Sequence, residues 1–155
     1  MRFGHISVFD RLNNKIFVYG GRSKYDKLSN LIIGDNSNAF YGMEYYDIKA
    51  NKWFRPSIGD EIGYPPLRRN HIGEVLGNQL IIQGGIDEYG DILNDVFYIN
   101  LNNVDSNKER WTELIISSKI SGPYVYGHSS SLVIEQDIIK NSKSNVYYYS
   151  EEEKA

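Results

Sequence analysis

The sequence predicts an all-β fold, and three features of the chain support this. Apolar residues come in short runs rich in Val, Ile, Phe and Tyr, bounded by Gly, Asn, Asp and Pro, which is typical of strands separated by turns. No long window keeps the 3.6-residue apolar period of a helix, so helices are expected to be scarce. The sequence pattern from His5 to Gly21 also recurs from His71 to Gly85, which predicts a fold built from repeats.

Each apolar run is interpreted as one strand, with the turn residues on either side setting its limits. The helix-like stretch 134–140 is short, and we interpret it as a loop. The predicted strands are 6–9, 16–19, 43–48, 53–55, 72–76, 80–83, 96–101, 111–115, 129–134 and 145–149.

Two complete repeats and part of a third follow one order: a histidine, a strand, a turn, a strand closed by two glycines, an aromatic or apolar strand, and a tryptophan. The third repeat departs from this pattern, because Ser150-Glu151 stands where the glycines are expected and no tryptophan follows. The residues that define the repeats are His5, Gly20, Gly21 and Trp53, then His71, Gly84, Gly85 and Trp111, then His128.

This order, present twice, resembles the kelch-repeat family. The resemblance implies four-stranded antiparallel blades of a β-propeller, each of roughly 50 residues. In a chain of 155 residues it implies an incomplete ring of about two and a half to three blades. The expected limits are 1–56 for blade one, 57–116 for blade two and 117–155 for a partial blade three.

The resemblance also implies structural roles for the repeated residues. The glycine pairs are expected to supply backbone conformations that let the chain turn sharply at the end of the second strand. Each tryptophan is expected to fill the space between adjacent blades. Each histidine is expected to form a hydrogen bond within its own blade, which makes a metal site from the three histidines a poor interpretation.

An incomplete ring leaves apolar sheet faces and a strand edge open to water. Three arrangements would cover them: the chain is a piece of a longer protein, another chain completes the ring, or the chain forms a compact dimer. Because Met1 stands directly before the first strand, a true N-terminus or a trimmed one is favoured.

Composition argues against several classes of function. The net charge is −3 and no Lys/Arg-rich block is present, so nucleic acid and anionic membranes are poor candidates as partners. The chain has no cysteine, which excludes disulfides and thiolate chemistry. No apolar segment resembles a signal peptide or a membrane span. We therefore expect a cytoplasmic protein, with a cytoskeletal or ciliary location as a narrower possibility.

No catalytic, metal or cofactor residue is predicted. The acids Asp87, Asp91 and Asp95 lack the order of a calcium loop, and we interpret them as solvated loop residues. The texts GDN at 34–36 and GDE at 59–61 raise the question of a metallophosphatase, since some kelch propellers are fused to one. The rest of the metal-binding motif is missing, so such a domain would lie outside this chain.

The remaining interpretation is a non-enzymatic module that binds a partner protein through loops. Exposed loops on a rigid scaffold concentrate binding function, and Tyr and Arg often carry interface energy. The alternatives are a component of a cytoskeletal or ciliary assembly and the regulatory kelch portion of a larger enzyme such as a kelch-phosphatase. The candidate partner-binding residues are Arg22, Tyr25, Tyr64, Arg68, Arg69, Tyr89, Tyr124 and Tyr126.

Overall fold

The computed structural model describes residues 2–23, 42–58, 63–115 and 122–131. In these residues the chain is all-β, as predicted, and its helical structure is confined to the 3-10 turn Leu101–Asn103. The strands are β1 (Arg2–Phe3), β2 (Ile6–Asp10), β3 (Lys15–Tyr19), β4 (Arg22–Ser23), β5 (Met43–Asp47), β6 (Lys52–Phe54), β7 (Arg68–Arg69), β8 (Ile72–Leu76), β9 (Gln79–Asp87), β10 (Ile92–Asn100) and β11 (Thr112–Glu113).

The first repeat forms a four-stranded antiparallel sheet in the order β2-β3-β5-β6, called the first sheet below. Its register places Ile16 between Phe9 and Tyr46, and Tyr46 beside Trp53. Side chains alternate between the two faces of a strand, so Phe17 and Tyr45 point to the opposite face. Phe17 and Tyr45 are buried there, with their rings 5.3 Å apart.

The second repeat forms the second sheet, in which β8, β9, β10 and β11 pair as neighbours and β7 pairs with the far end of β9. The two sheets pack face to face around one core. Its buried members are Phe17, Tyr19, Met43, Tyr45, Leu80, Ile82, Phe97, Ile99, Leu101, Val104 and Trp111. The four-stranded antiparallel sheets implied by the kelch resemblance are therefore present in both complete repeats.

Several strand limits differ from the prediction. β9 does not stop at Gly84-Gly85 but runs through the pair to Asp87, with a bulge between Leu93 and Val96 on β10. The glycine pair ends a strand only in the first repeat, where β3 closes at Tyr19. β11 is shorter than predicted, and 129–131 are not in a strand; the remainder of that predicted strand, the strand at 145–149 and the loop at 134–140 lie outside the described residues.

Three short strands, β1, β4 and β7, were not predicted. Each has only two residues, too few to show the alternation by which a strand is recognised in a sequence. No helix in the described ranges is long and apolar enough to cross a membrane.

Candidate partner-binding surface

The first glycine of each pair makes room for the histidine of the following repeat. Gly20 has a φ of +70°, and a Cβ added to it would lie 2.3 Å from Cε1 of His71. Gly84 has a φ of +62°, and its added Cβ would lie 3.2 Å from Cε1 of His128 and 2.6 Å from the Val125 carbonyl. A side chain at either position would occupy space that the next repeat already fills.

The second glycine of each pair packs against its own repeat. A Cβ on Gly21 would lie 2.8 Å from the Phe3 carbonyl, and one on Gly85 would lie 2.7 Å from the Arg69 carbonyl. The same glycines donate backbone hydrogen bonds to the following repeat, from Gly21 N to Arg68 O and from Gly85 N to Val125 O, each at 2.8 Å. Each glycine pair therefore joins its repeat to the next one.

Two of the three repeat histidines, His71 and His128, do not form the hydrogen bond expected of them. Both ring nitrogens of His71 and of His128 are buried and have no hydrogen-bond partner among the described residues. The expected hydrogen bond within each blade is therefore wrong for these two. His71 packs instead against the first sheet, edge-on to the Tyr19 ring at 5.4 Å. Burial, with the Arg68 guanidinium nearby, lowers the pKa of His71 to about 3, so its imidazole is neutral at physiological pH.

Arg68 was expected to contact a partner, and the structure corrects this. Its side chain is 0% exposed and forms an ion pair with Asp95 in the second sheet. The guanidinium donates to Oδ2 of Asp95 at 2.8 Å and to the Gly84 carbonyl at 2.9 Å, and it lies over the Phe97 ring. A buried, fully paired arginine is a structural residue and is not available on the surface.

Arg2 in β1 forms the matching contacts in the first repeat and was not singled out from the sequence. It donates to the Gly20 carbonyl at 2.7 Å and pairs with Glu44 at 2.8 Å. Arg2 stands three residues before His5, as Arg68 stands three residues before His71. An arginine three residues before each histidine was the signal in the sequence that could have identified both residues. Arg69, next to Arg68, made this spacing hard to recognise.

The acids of the second repeat are not a set of equivalent loop residues. Asp95 is mostly buried against Arg68, so its interpretation as a solvated acid is wrong. Asp87 accepts hydrogen bonds from the backbone N–H groups of Tyr89 and Asp91, both at 2.9 Å, and fixes the turn between them. The described part of the chain holds no group of three residues that could bind a metal ion.

Among the predicted residues that the structure describes, Tyr89 is the most exposed aromatic one; it lies in the turn joining β9 and β10 and is 83% exposed. The hairpin is held on both sides. β7 pairs with Ile86 and Asp87 on one side, and on the other the Val125 N–H donates to the Leu93 carbonyl at 3.2 Å. Tyr124, beside this contact, is 68% exposed. We call Asp87–Asp91 together with Tyr124 the hairpin surface.

The other predicted partner-binding residues are distributed differently. Tyr64 and Tyr126 are exposed, whereas Arg22 and Arg69 are half-buried in β4 and β7. Tyr25 lies outside the described residues.

The two tryptophans occupy equivalent positions in their repeats and differ in their surroundings. Trp111 is 6% exposed, with its ring 5.0 Å from that of Tyr19 on the first sheet, so it fills the space between the sheets as expected. Trp53 is 61% exposed and contacts Tyr46 of its own sheet. No described residue covers the Trp53 face, so the expected place of Trp53 between two blades stays a prediction.

Comparison with known proteins decides the family. The profile described as the KLHDC2/KLHL20/DRC7 Kelch-repeats domain matches residues 1–151. The chain belongs to the kelch-repeat family. It is also similar to the serine/threonine-protein phosphatase BSL2 of Arabidopsis thaliana, with 33% identity over 89 residues, which is 57% of this chain and 8% of that protein.

Among solved structures, that of YjhT, a kelch propeller, superposes on this chain with a TM-score of 0.54 at 16% sequence identity. The superposition covers 94% of this chain and 50% of the YjhT chain. This kelch chain therefore spans half the length of that propeller and a small part of the phosphatase.

Proposed function

We propose that this kelch chain is a non-enzymatic protein-interaction module that binds a partner protein through the hairpin surface. One observation carries the proposal: Tyr89 and Tyr124 are strongly exposed on backbone that hydrogen bonds hold in place from both sides. Exposed tyrosines on rigid backbone provide contact area with little ordering of the chain, so less conformational entropy is lost on binding.

The charge of the hairpin surface indicates what kind of partner fits it. Its sequence DEYGD places three acids among five residues, and Glu88 and Asp91 are exposed. Complementary charge raises association rates and favours the correct partner over others. The partner surface proposed here is therefore basic, with an apolar area that receives the tyrosines. Chains or segments that complete the propeller are proposed as further partners.

The test compares binding of the full chain with that of a Tyr89→Ala/Tyr124→Ala variant. Proteins captured from the source cells are identified and purified, and their affinities are measured by calorimetry. Loss of a tyrosine at the centre of an interface is expected to weaken binding about tenfold or more. Leu12→Ala is the matched control, because Leu12 is exposed in the β2–β3 turn and lies outside the hairpin surface.

If every captured partner binds the double variant as tightly as the wild type, the hairpin surface is not the binding site. If Leu12→Ala weakens binding equally, the effect is not specific to the tyrosines. Circular dichroism of each variant shows whether the fold is retained.

A second candidate is a structural component of a larger cytoplasmic assembly, cytoskeletal or ciliary. The exposed Trp53 face of the first sheet favours it, since an apolar sheet face is normally covered. An assembly component remains in the insoluble cytoskeletal fraction after detergent extraction of the source cell, whereas a soluble adaptor is released.

A third candidate is the kelch portion of a larger phosphatase, which the similarity to BSL2 over 89 residues favours. Its test is the transcript in the source cell. A reading frame that extends beyond Ala155 into metal-binding phosphatase motifs supports this candidate, and a stop codon there excludes a fused domain on that side.

A further inference from the structure

One face of the first sheet carries an apolar row that crosses all four strands. Phe9, Ile16, Tyr46 and Trp53 are successive cross-strand neighbours on this face. Phe9 and Trp53 at the two ends of the row are exposed, as is Ile48 just beyond β5. We call these five residues the open face.

The second sheet shows how the equivalent residues are used. There the corresponding row is Val75, Leu80 and Ile99, which are cross-strand neighbours, followed by Trp111. Leu80 and Ile99 are 0% exposed, and this face packs against the first sheet, where Trp111 contacts Tyr19. Leu101, the counterpart of Ile48, is also buried.

The open face therefore has the apolar pattern of a surface that is covered by a second sheet. Apolar area contributes to association roughly in proportion to the area removed from water. Glu44, which lies on this face, is paired with both Arg2 and Arg55, so covering the face would not bury an unpaired carboxylate.

We propose that a second copy of this chain covers the open face. The superposition on YjhT gives the reason: 94% of this chain matches 50% of that propeller, so two copies contain the repeats of one ring of that size. In a twofold dimer of this kind the open faces of the two copies have equivalent surroundings. Closed rotational symmetry is the usual arrangement of soluble homo-oligomers. The dimer specifies a second copy as the chain that completes the propeller, and it does not depend on partner binding by the hairpin surface.

The mass of the purified full chain tests the proposal. Native mass spectrometry and light scattering after size exclusion are expected to give twice the 17.9 kDa of one chain. Trp53→Glu and, independently, Phe9→Glu place a charge on the open face and are expected to raise the dimer dissociation constant at least tenfold. Ile115→Glu is the control, because it adds the same charge at an exposed residue that lies outside both the open face and the hairpin surface.

Fluorescence provides a second readout in a Trp111→Phe variant, where Trp53 is the remaining tryptophan. Its emission is expected to shift to shorter wavelength as the protein concentration rises through the dissociation constant. If this variant does not fold, the mass measurement decides alone.

A wild-type chain that stays monomeric at all accessible concentrations overturns the proposal, and so does an open series of larger oligomers. If Trp53→Glu and Phe9→Glu leave the dimer as tight as Ile115→Glu does, another surface joins the copies. None of these results depends on whether Tyr89 and Tyr124 bind a partner protein. The dimer and the partner-binding hairpin surface can therefore be disproved independently of each other.

Discussion

Arg68 and Asp95 form an ion pair inside the second sheet, and the arginine side chain has no exposed surface. Arg68 also donates hydrogen bonds to the Pro66 and Gly84 carbonyls. It therefore links the segment that precedes β8 to the glycine pair of the second repeat. Arg2 reaches the Gly20 carbonyl and Glu44 in the same way. This contact between an arginine, a glycine carbonyl and an acid is a repeated element of the structure.

Replacing Arg68 with alanine is expected to destabilise the chain by about 3 to 5 kcal/mol, because it leaves a largely buried carboxylate without its partner. Urea unfolding followed by circular dichroism measures the change. Arg55→Ala is the control: Arg55 also pairs with an acid but is exposed, so a loss below about 1 kcal/mol is expected. Equal losses for the two variants would contradict the structural role of Arg68.

The hydroxyl of Tyr45 links the two repeats by donating a hydrogen bond to Asp105 at 2.8 Å. Burial, reinforced by this hydrogen bond, raises the pKa of Tyr45, so the phenol remains a neutral donor. Tyr45→Phe is expected to cost about 1 kcal/mol in the free energy of unfolding.

The matched control for Tyr45→Phe is Tyr46→Phe. Tyr46 is the next residue on β5, and its hydroxyl bonds only locally, to Asn51. A loss within about 0.5 kcal/mol is expected for this exposed contact. The inter-repeat role of the Tyr45 hydroxyl is wrong if the two variants unfold at the same urea concentration.

His71 makes stability depend on pH. Its folded pKa of about 3 lies below the usual value near 6.5 for an unfolded chain. Between these values the unfolded state binds more protons than the folded state, so stability is complete above about pH 6.5 and falls as the pH is lowered. The expected slope approaches about 1.4 kcal/mol per pH unit.

This slope is best measured by urea unfolding between about pH 7 and pH 5, above the range in which most carboxyl groups titrate. Burial also lowers the pKa values of His5 and His128, so these residues add to the slope with the same sign. His71→Gln is expected to reduce the slope. An unchanged slope would mean that His71 is accessible to protons in the folded chain.

The sequence predicted the repeats and eight of the described strands because both leave strong local patterns. The Gly-Gly pairs and the tryptophans recur at matched positions, and the strands between residues 6 and 115 are apolar and clearly bounded. The exposed state of Tyr89 also followed from its place in a polar turn.

Other features could not be read from local pattern. The burial of Arg68 depends on Asp95, which is 27 residues away in the sequence. The local sequence around Arg68 and Arg69 does not indicate which of the two arginine side chains is buried. The different exposure of Trp53 and Trp111 likewise depends on whether a neighbouring sheet is present, since the two tryptophans are equivalent in their repeats.

Gly20→Ala tests the space between repeats. Its added methyl group would meet both the His71 ring and the Arg68 carbonyl, and its φ is one that L-residues disfavour. Together, overpacking and the left-handed conformation are expected to cost about 3 kcal/mol or more. Gly77→Ala separates the two effects, because Gly77 has a φ of +61° with nothing within 4 Å of its added Cβ; a loss of about 1 to 2 kcal/mol is expected there.

The most direct test of the account is a double-mutant cycle between Gly20→Ala and His71→Ala, measured by urea unfolding. If a side chain at Gly20 is excluded by the His71 ring, removing the imidazole relieves part of the strain that the alanine methyl group introduces. The double variant is then more stable than the sum of the single changes predicts, by about 1 kcal/mol or more. Additive losses would contradict the claim that Gly20 and His71 form the joint between the repeats.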